Sequence, residues 1–300
     1  MIVTTPRIAF LHTLVRAEEK LLLDAFERHA VDVVPLHVHE LVLDLRSETP
    51  PAAFDGCQLV LDRCVSASKS AVLLRCLESW GLRCMNRAST VEVASDKILT
   101  HRVLAQAGIA TPGGIVAFDQ RAACDALDDF GYPAVLKPAQ GSWGRLLARV
   151  NDRDAAEAVL EHKATLGSPQ HGIAYAQEFI EKGGFDLRVF VVGDDVLCAI
   201  ERRSEHWITN TSRGATTARH EVTPELESLC RRVAQTLGGG LLAIDVFVTG
   251  DGRMLVNEVN HSMEFRNSIA PTGVDIPGRI VEHLLSCIDA DQQQEIPVPC

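Results

Sequence analysis

No stretch of this 300-residue chain approaches the roughly 20 consecutive apolar residues that a membrane helix needs. Met1 to Phe10 also lacks the basic start and long apolar run of a secretory signal. A cytoplasmic protein with no membrane partner is therefore expected. Nine cysteines lie scattered from Cys57 to Cys300 without a CxxC pair or close Cys/His spacing, which argues against a disulfide framework or a zinc site. Positive charge is in deficit, with a formal balance of −11, so no nucleic-acid partner is expected. Internal repeats and low-complexity segments are missing, as are a G-x-S-x-G elbow and a paired Cys/His nucleophile. What is present, 46% hydrophobic and 23% charged residues, suffices for one large core or a few small ones.

Arg7 to His12 and Val31 to Leu36 read as strands, with Leu22, Ala25 and Phe26 at helical spacing between them. That alternation predicts a wound α/β lobe over 1–92. It continues with a strand at Leu59 to Leu61, a helix over Ser70 to Trp80 and a short strand near Arg83 to Asn86. Next, Ser95 to Ala107 reads as a helix ended by Gly108, and Pro112 with paired glycines opens a strand at Gly114 to Phe118. This second lobe, over 93–173, adds strands Ala134 to Lys137 and Leu146 to Val150. A helix over Asp152 to His162 follows, its first-turn amides within reach of Asp152. The third lobe, 174–288, reads as hairpins: Leu187 to Val192 with Val196 to Glu201, and Ala243 to Val248 with Met254 to Val259. Pro224 to Leu237 is a helix between them, and 289–300 is a frayed tail.

The chemistry concentrates in the second half. Lys137 precedes Gly141-Ser142-Trp143-Gly144, a loop whose glycines permit backbone amides to fold over phosphate oxygens. It is not the Walker spacing, and alone it reads more readily as an ordinary hairpin. Asp245 lies in one strand, and Glu258 and Asn260 lie two residues apart in its hairpin partner. Three oxygen donors on one face suit magnesium bridged by nucleotide phosphates. Because the flanking residues are apolar, these carboxylates are expected to be buried, and a buried carboxylate cluster without a cation is costly. Lys97, Lys137, Arg188, Arg202, Arg203 and Arg213 supply the positive charge that phosphoryl transfer requires.

The order Lys97, Lys137 with its glycine loop, Gln177-Glu178-Phe179-Ile180, Asp186-Leu187-Arg188, Glu201-Arg202-Arg203, Asp245 and Glu258-Val259-Asn260 resembles the ATP-grasp family in its RimK-like branch. The stretches Gly141 to Leu146, His206 to Gly214 and Asn257 to Asn267 are similar to the LysX ligases of lysine biosynthesis. The resemblance implies a three-lobed α/β fold, an N-terminal pre-ATP-grasp domain followed by two ATP-grasp lobes. It also implies a ligase that consumes ATP with Mg²⁺, for which Mn²⁺ can substitute. ATP would contact Lys97, Lys137, Gly141, Ser142, Trp143, Gly144, Glu178, Phe179, Asp186 and Arg188. Magnesium would sit on Asp245, Glu258 and Asn260.

By the same resemblance, Arg202 and Arg213 serve catalysis, and an amino-acid acceptor meets Arg202, Asn210, Thr211, Arg213, Asn260, Glu264, Phe265 and Asn267. The carboxylate donor would be the C-terminal glutamate of a small acidic carrier protein, the acceptor 2-aminoadipate, and the enzyme a homo-oligomer, dimer or tetramer. Glutamate or another amino acid as acceptor, RimK-like protein glutamylation, and a non-catalytic ATP-binding regulator are the alternatives. Ala215 and Ser262 stand where the pattern leads one to expect glycine and threonine, and Ala215 touches the loop that sets acceptor choice. Arg145, Arg202, Arg203, Arg213 and Arg266 are expected around one basic cleft on an otherwise acidic body.

Overall fold

The computed structural model describes residues 5–141, 145–167 and 169–294, so Ser142, Trp143, Gly144 and the last six residues of the expected tail lie outside the described residues. The N-terminal elements alternate as their apolar periodicity dictates: β1 (Arg7–His12), α1 (Ala17–Arg28), β2 (Asp32–His37), β3 (Leu59–Arg63), α2 (Ala67–Ser79) and β4 (Cys84–Met85). The strands form a parallel sheet in the order β2-β1-β3-β4. Side chains two apart share a face, so Ala9, Leu11 and Val60 bury against Leu73, Leu74 and Leu77 of α2. Ile8, Phe10, Leu59 and Leu61 point the other way.

The helix expected over Ser95 to Ala107 is α4 (Lys97–Gln106), and a further helix that was not expected, α3 (Ala88–Ser95), precedes it. Asp96 divides them because its carboxylate accepts from the amides of Ile98 (2.9 Å) and Leu99 (3.1 Å), which makes it an N-cap. A second sheet follows from β5 (Gly114–Ala117), α5 (Gln120–Phe130), β6 (Ala134–Lys137), β7 (Ala148–Val150), α6 (Arg153–Leu166) and β8 (Ala174–Glu178). It is antiparallel, in the order β5-β8-β6-β7. The third strand predicted here starts at Ala148 instead of Leu146, whose φ of +57° belongs to the left-handed region and to no strand. Asp152 caps α6 as expected, accepting from Ala155 N at 2.8 Å.

Both predicted hairpins are present, with longer strands: β9 (Phe185–Val192) with β10 (Asp195–Arg203), and β12 (Leu241–Val248) with β13 (Met254–Asn260). Between them lie β11 (Thr216–His220), which carries too little apolar character to be predicted, and α7 (Pro224–Leu237). The sheet order is β11-β10-β9-β12-β13. One face packs on α7 through Val189, Val191, Leu242 and Ile244 with Leu226, Val233 and Leu237. The chain closes with α8 (Arg266–Thr272) and α9 (Ile276–Gln294).

The first and third sheets share one apolar cluster. Ile8, Phe10, Leu59 and Leu61 bury with Phe190 and Val192 of β9 and with Ile276, Ile280, Leu284 and Ile288 of α9. Asn86 staples the same junction. Its amide nitrogen donates to the carbonyls of Leu241 (2.9 Å) and His261 (2.8 Å), and its oxygen accepts from Leu241 N at 2.6 Å. Gly240, at φ +102°, makes room for it, since a Cβ there would meet Asn86 Oδ1 at 2.0 Å. Among the described residues, no helix is long and apolar enough to cross a membrane.

Candidate active site

Four elements converge where the second and third sheets face each other. β6, apolar through Ala134-Val135-Leu136, ends on Lys137, 7% exposed. Its ammonium donates to Asn257 Oδ1 at 2.8 Å and to the side-chain oxygen of Gln177. Burial pushes it down to about 7, against the pull of Glu258. Lys97, in the first turn of α4, donates to the Gly141 carbonyl at 2.6 Å and stands 3.4 Å from Glu258. That bond fixes the start of the glycine loop, as does the one from Lys97 N to the Ala139 carbonyl (2.8 Å).

Strand register builds the next layer. Arg202 lies opposite Asp186, and Asp245 lies opposite both Arg188 and Glu258. Arg202 donates to Asp186 at 2.7 Å and reaches Asp245 at 3.0 Å; Arg188 grips Asp245 with both arms of its fork at 2.8 and 2.9 Å. Burial alone would raise the Asp245 carboxyl, but Arg188 and Arg202 more than reverse that and hold it at about 2. The expectation that buried carboxylates demand a metal thus needs correcting for Asp245, because two guanidinium groups already balance its charge. Among the described residues, no group of three or more His, Cys, Asp and Glu comes together in a way that could hold a metal ion. What the site offers a cation is two carboxylates and an amide oxygen. The Asn260 amide nitrogen donates to the Ala243 carbonyl (3.4 Å), so its oxygen is the atom a cation would meet. An all-oxygen set with one member firmly ionised fits magnesium.

These groups face three neighbouring spaces that share lining residues. A cavity of about 370 Å³ is lined by Lys97, Gly141, Asp245, Glu258 and Asn260 on one side, by Asn210 and Thr211 in the loop after β10, and by Arg16 and Ser68 from the first lobe. A cleft beside it has Glu178 at its edge and apolar walls from Val135, Phe179, Ile180, Trp207 and Phe247. The Phe179 and Trp207 rings meet edge to face at 6.1 Å, and the Arg149 guanidinium lies 3.9 Å over Phe179. A third space, about 690 Å³, gathers Arg16, Arg145, Arg188, Arg202, Arg213 and Arg266 with Glu264 and Asn267. Two expected residues do not join them. Phe265 is fully buried in the shared core, its ring 6.0 Å from the Arg63 guanidinium. Arg203 pairs with Glu201 and stacks over Phe185 at 4.8 Å.

Sequence reasoning missed Lys182, Asn257 and Arg16. Lys182 donates to Thr209 Oγ1 at 2.7 Å and lies 3.4 Å from Asp186. Its position before a Gly183-Gly184 turn carries no signal of its own. Arg16 had one, the spacing Arg-x-x-Glu to Glu19 at a helix start.

A cleft between two antiparallel sheets, with Lys97, Lys137, Gly141 and an oxygen-donor set at its inner end, defines an ATP-dependent ligase of the ATP-grasp class. A family model described as a RimK-like ATP-grasp domain matches residues 94–284, and one described as a LysX preATP-grasp domain matches residues 8–93. The chain belongs to the RimK-like ATP-grasp family. Its relatives include the alpha-aminoadipate–LysW ligase LysX of Saccharolobus solfataricus, 32% identical over 89% of this chain and 96% of that one. The glutamate–LysW ligase ArgX of Sulfolobus acidocaldarius is 28% identical over 93% and 98%. Among solved structures, a RimK domain ATP-grasp protein from Sphaerobacter thermophilus superimposes with a TM-score of 0.76 at 32% identity, covering 92% and 98%. The ATP-grasp ligase PsnB, solved with a minimal precursor, Mg and ADP, shares the fold with a TM-score of 0.71 at 16% identity, covering 94% and 97%.

Proposed function

We propose that this ligase joins the side-chain carboxylate of the C-terminal glutamate of a small acidic carrier protein to the α-amino group of 2-aminoadipate. The observation that carries the reading is that the arginine-lined space shares Arg16, Arg188, Arg202, Thr211 and Glu264 with the cavity of Lys97, Asp245, Glu258 and Asn260, in a chain whose relatives are named for ligation to LysW. The carrier's carboxylate attacks the γ-phosphorus of ATP; a new O–P bond forms as the bond to ADP breaks. The amine, having lost a proton, attacks the acyl carbon, and phosphate leaves with the electron pair of the broken C–O bond.

In this scheme Lys97, Lys137 and the amides of Gly141 to Gly144 hold the phosphates, and Glu178 and Phe179 meet the base. Asp245, Glu258 and Asn260 would hold magnesium, which supplies neutralisation of charge on the transferring oxygens. Asp186, Arg188 and Arg202 fix the shape of this wall by pairing with one another and with Asp245. Arg213, Asn210, Thr211 and Asn267 serve the acceptor, whose carboxylates suit a bidentate fork.

Mixing enzyme, ATP, magnesium and 2-aminoadipate with the carrier, or with a carrier lacking its final glutamate, tests the reading by mass spectrometry. Addition to the intact carrier alone is expected; equal modification of both, or efficient ligation of free glutamate as donor, sinks it. The ArgX relatives favour a second reading, glutamate as acceptor, and direct competition between the two amino acids decides between them.

A further inference from the structure

We propose that Arg16 and Glu264 together bind the amino-acid head of the acceptor, Arg16 its α-carboxylate and Glu264 its α-ammonium. This rests on the reading above that the acceptor is an amino acid, and adds the residues that would place its nitrogen at the reactive cavity.

Arg16 stands between β1 and α1, at the carboxyl end of the first sheet. There the order β2-β1-β3-β4 reverses direction between β1 and β3, and open α/β sheets offer ligands a crevice at such a point. Glu19, fully buried, orients the guanidinium: Nε donates to one carboxylate oxygen and Nη2 to the other, both at 2.9 Å. Glu19 also accepts from Arg63 Nε at 3.0 Å, and Arg63 Nη2 donates to the Met263 carbonyl at 3.2 Å. One buried network therefore fixes Arg16 and the loop that carries Glu264.

Arginine has five N–H donors, and Glu19 takes two from Arg16. A third, on Nη1, points at Glu264 across 3.3 Å, long for a charge-assisted bond. That contact is also wet, with the two side chains 24% and 37% exposed. An exposed ion pair of this kind contributes little and exchanges readily for a ligand that satisfies both ends. An α-amino acid presents a carboxylate and an ammonium on one carbon, which matches a guanidinium and a carboxylate held side by side.

Position and exposure together select this pair. Arg16, Arg188, Arg202 and Glu264 all line both the cavity of Asp245, Glu258 and Asn260 and the arginine-rich space that holds Arg213 and Asn267. Arg188 and Arg202, with side chains only 13% and 2% exposed, are taken up by Asp186 and Asp245, whereas Arg16 meets Glu264 in a partly exposed contact. An acceptor whose nitrogen must enter the first while its side-chain carboxylate lies in the second has its head group at their junction.

The test compares 2-aminoadipate with 5-aminopentanoate, the same chain without the α-carboxylate, as acceptors for intact enzyme and for Arg16→Gln, Arg16→Lys and Glu264→Gln. Glutamate against 4-aminobutanoate serves if that acceptor wins the competition. The unaltered enzyme should prefer the amino acid in kcat/KM by roughly 100-fold, because a site built for a carboxylate rejects the analogue lacking it. Arg16→Gln should reduce that preference to about 3-fold, and Arg16→Lys to about 10-fold, since lysine keeps the charge and loses the fork. Glu264→Gln should raise KM for both amines about 10-fold and leave the preference in place. A purely structural role for Arg16 would slow both amines equally. An unchanged preference in a folded Arg16 variant overturns the assignment, and the lysine variant, which keeps a cation for buried Glu19, provides that readout should the glutamine variant not fold. If the unaltered enzyme ligates no amino acid to the carrier, the acceptor reading fails and takes this assignment with it. If it does ligate one and both arginine variants keep the full preference, only the assignment fails.

Discussion

The nucleotide wall and the acceptor space use the same residue types to opposite ends. In the wall, Lys137, Asp186, Arg202 and Asp245 are all under 10% exposed, and each charge is answered by another within hydrogen-bonding distance or by a side-chain amide. In the acceptor space Arg145, Arg213 and Arg266 are exposed. Buried charges are tolerable only when paired, and removing one partner strands the other. Exposed charges can be exchanged at little cost to the fold. The nucleotide side is thus built for rigidity, and the arginine-lined side tolerates substitution.

The largest effect that would sharpen this contrast is expected from Arg202→Met. It leaves Asp186 and Asp245 each short of a partner in a buried setting, so unfolding stability should fall by about 3 kcal/mol together with loss of ligation. Chemical denaturation measures it, and a variant as stable as the parent would show that the pairing is not what holds the wall. Arg213→Lys should do the reverse. KM for the acceptor should rise about 10-fold, because lysine cannot reproduce the fork, with melting temperature and KM for ATP nearly unchanged; a rise confined to ATP would move Arg213 to the nucleotide side.

The smallest effect concerns Lys137, lowered by burial to about 7. Phosphates favour the ammonium form, so binding ATP should raise this group's affinity for its proton. At pH 8, where the free protein holds mostly neutral amine, nucleotide binding should take up a proton. Affinity should then weaken as pH climbs above about 7, since the proton must be acquired from an ever poorer supply. Calorimetry in buffers of different ionisation heat measures the uptake, and Lys137→Met should abolish it. No uptake at pH 8 in the unaltered protein would mean that Lys137 stays charged throughout.

Much of this was legible because it is local. Short apolar runs marked the strands of the first sheet, Gly193-Asp194-Asp195 and Gly250-Asp251-Gly252 marked the turns of both hairpins, and Glu258 and Asn260 were placed on one face by spacing alone. Other features are set by distant partners. Asp245 looked like a carboxylate in need of a metal because nothing in its own strand shows that Arg188 and Arg202 lie across from it. Arg16 and Glu264 are 248 positions apart, a separation that no spacing rule reaches. β11 escaped because Thr-Thr-Ala-Arg-His, at a sheet edge, needs no apolar face. Phe265 was misread in the other direction: a side chain inside a motif of polar residues turned out to be part of the core.

The apolar cluster shared by β1, β3 and α9 also sets an order of events during synthesis. Ile8, Phe10, Leu59 and Leu61 are made more than 200 residues ahead of Ile276, Ile280 and Leu284, which are among the side chains that cover them. The first lobe therefore emerges with that face of its sheet covered only in part, by Leu22, Ala25 and Phe26 of α1, until β9 and α9 have followed. Exposed apolar surface of that kind is what holdase chaperones bind and what aggregation exploits. Growth temperature and translation rate should accordingly govern the yield of folded enzyme more than the strength of its active-site pairs does.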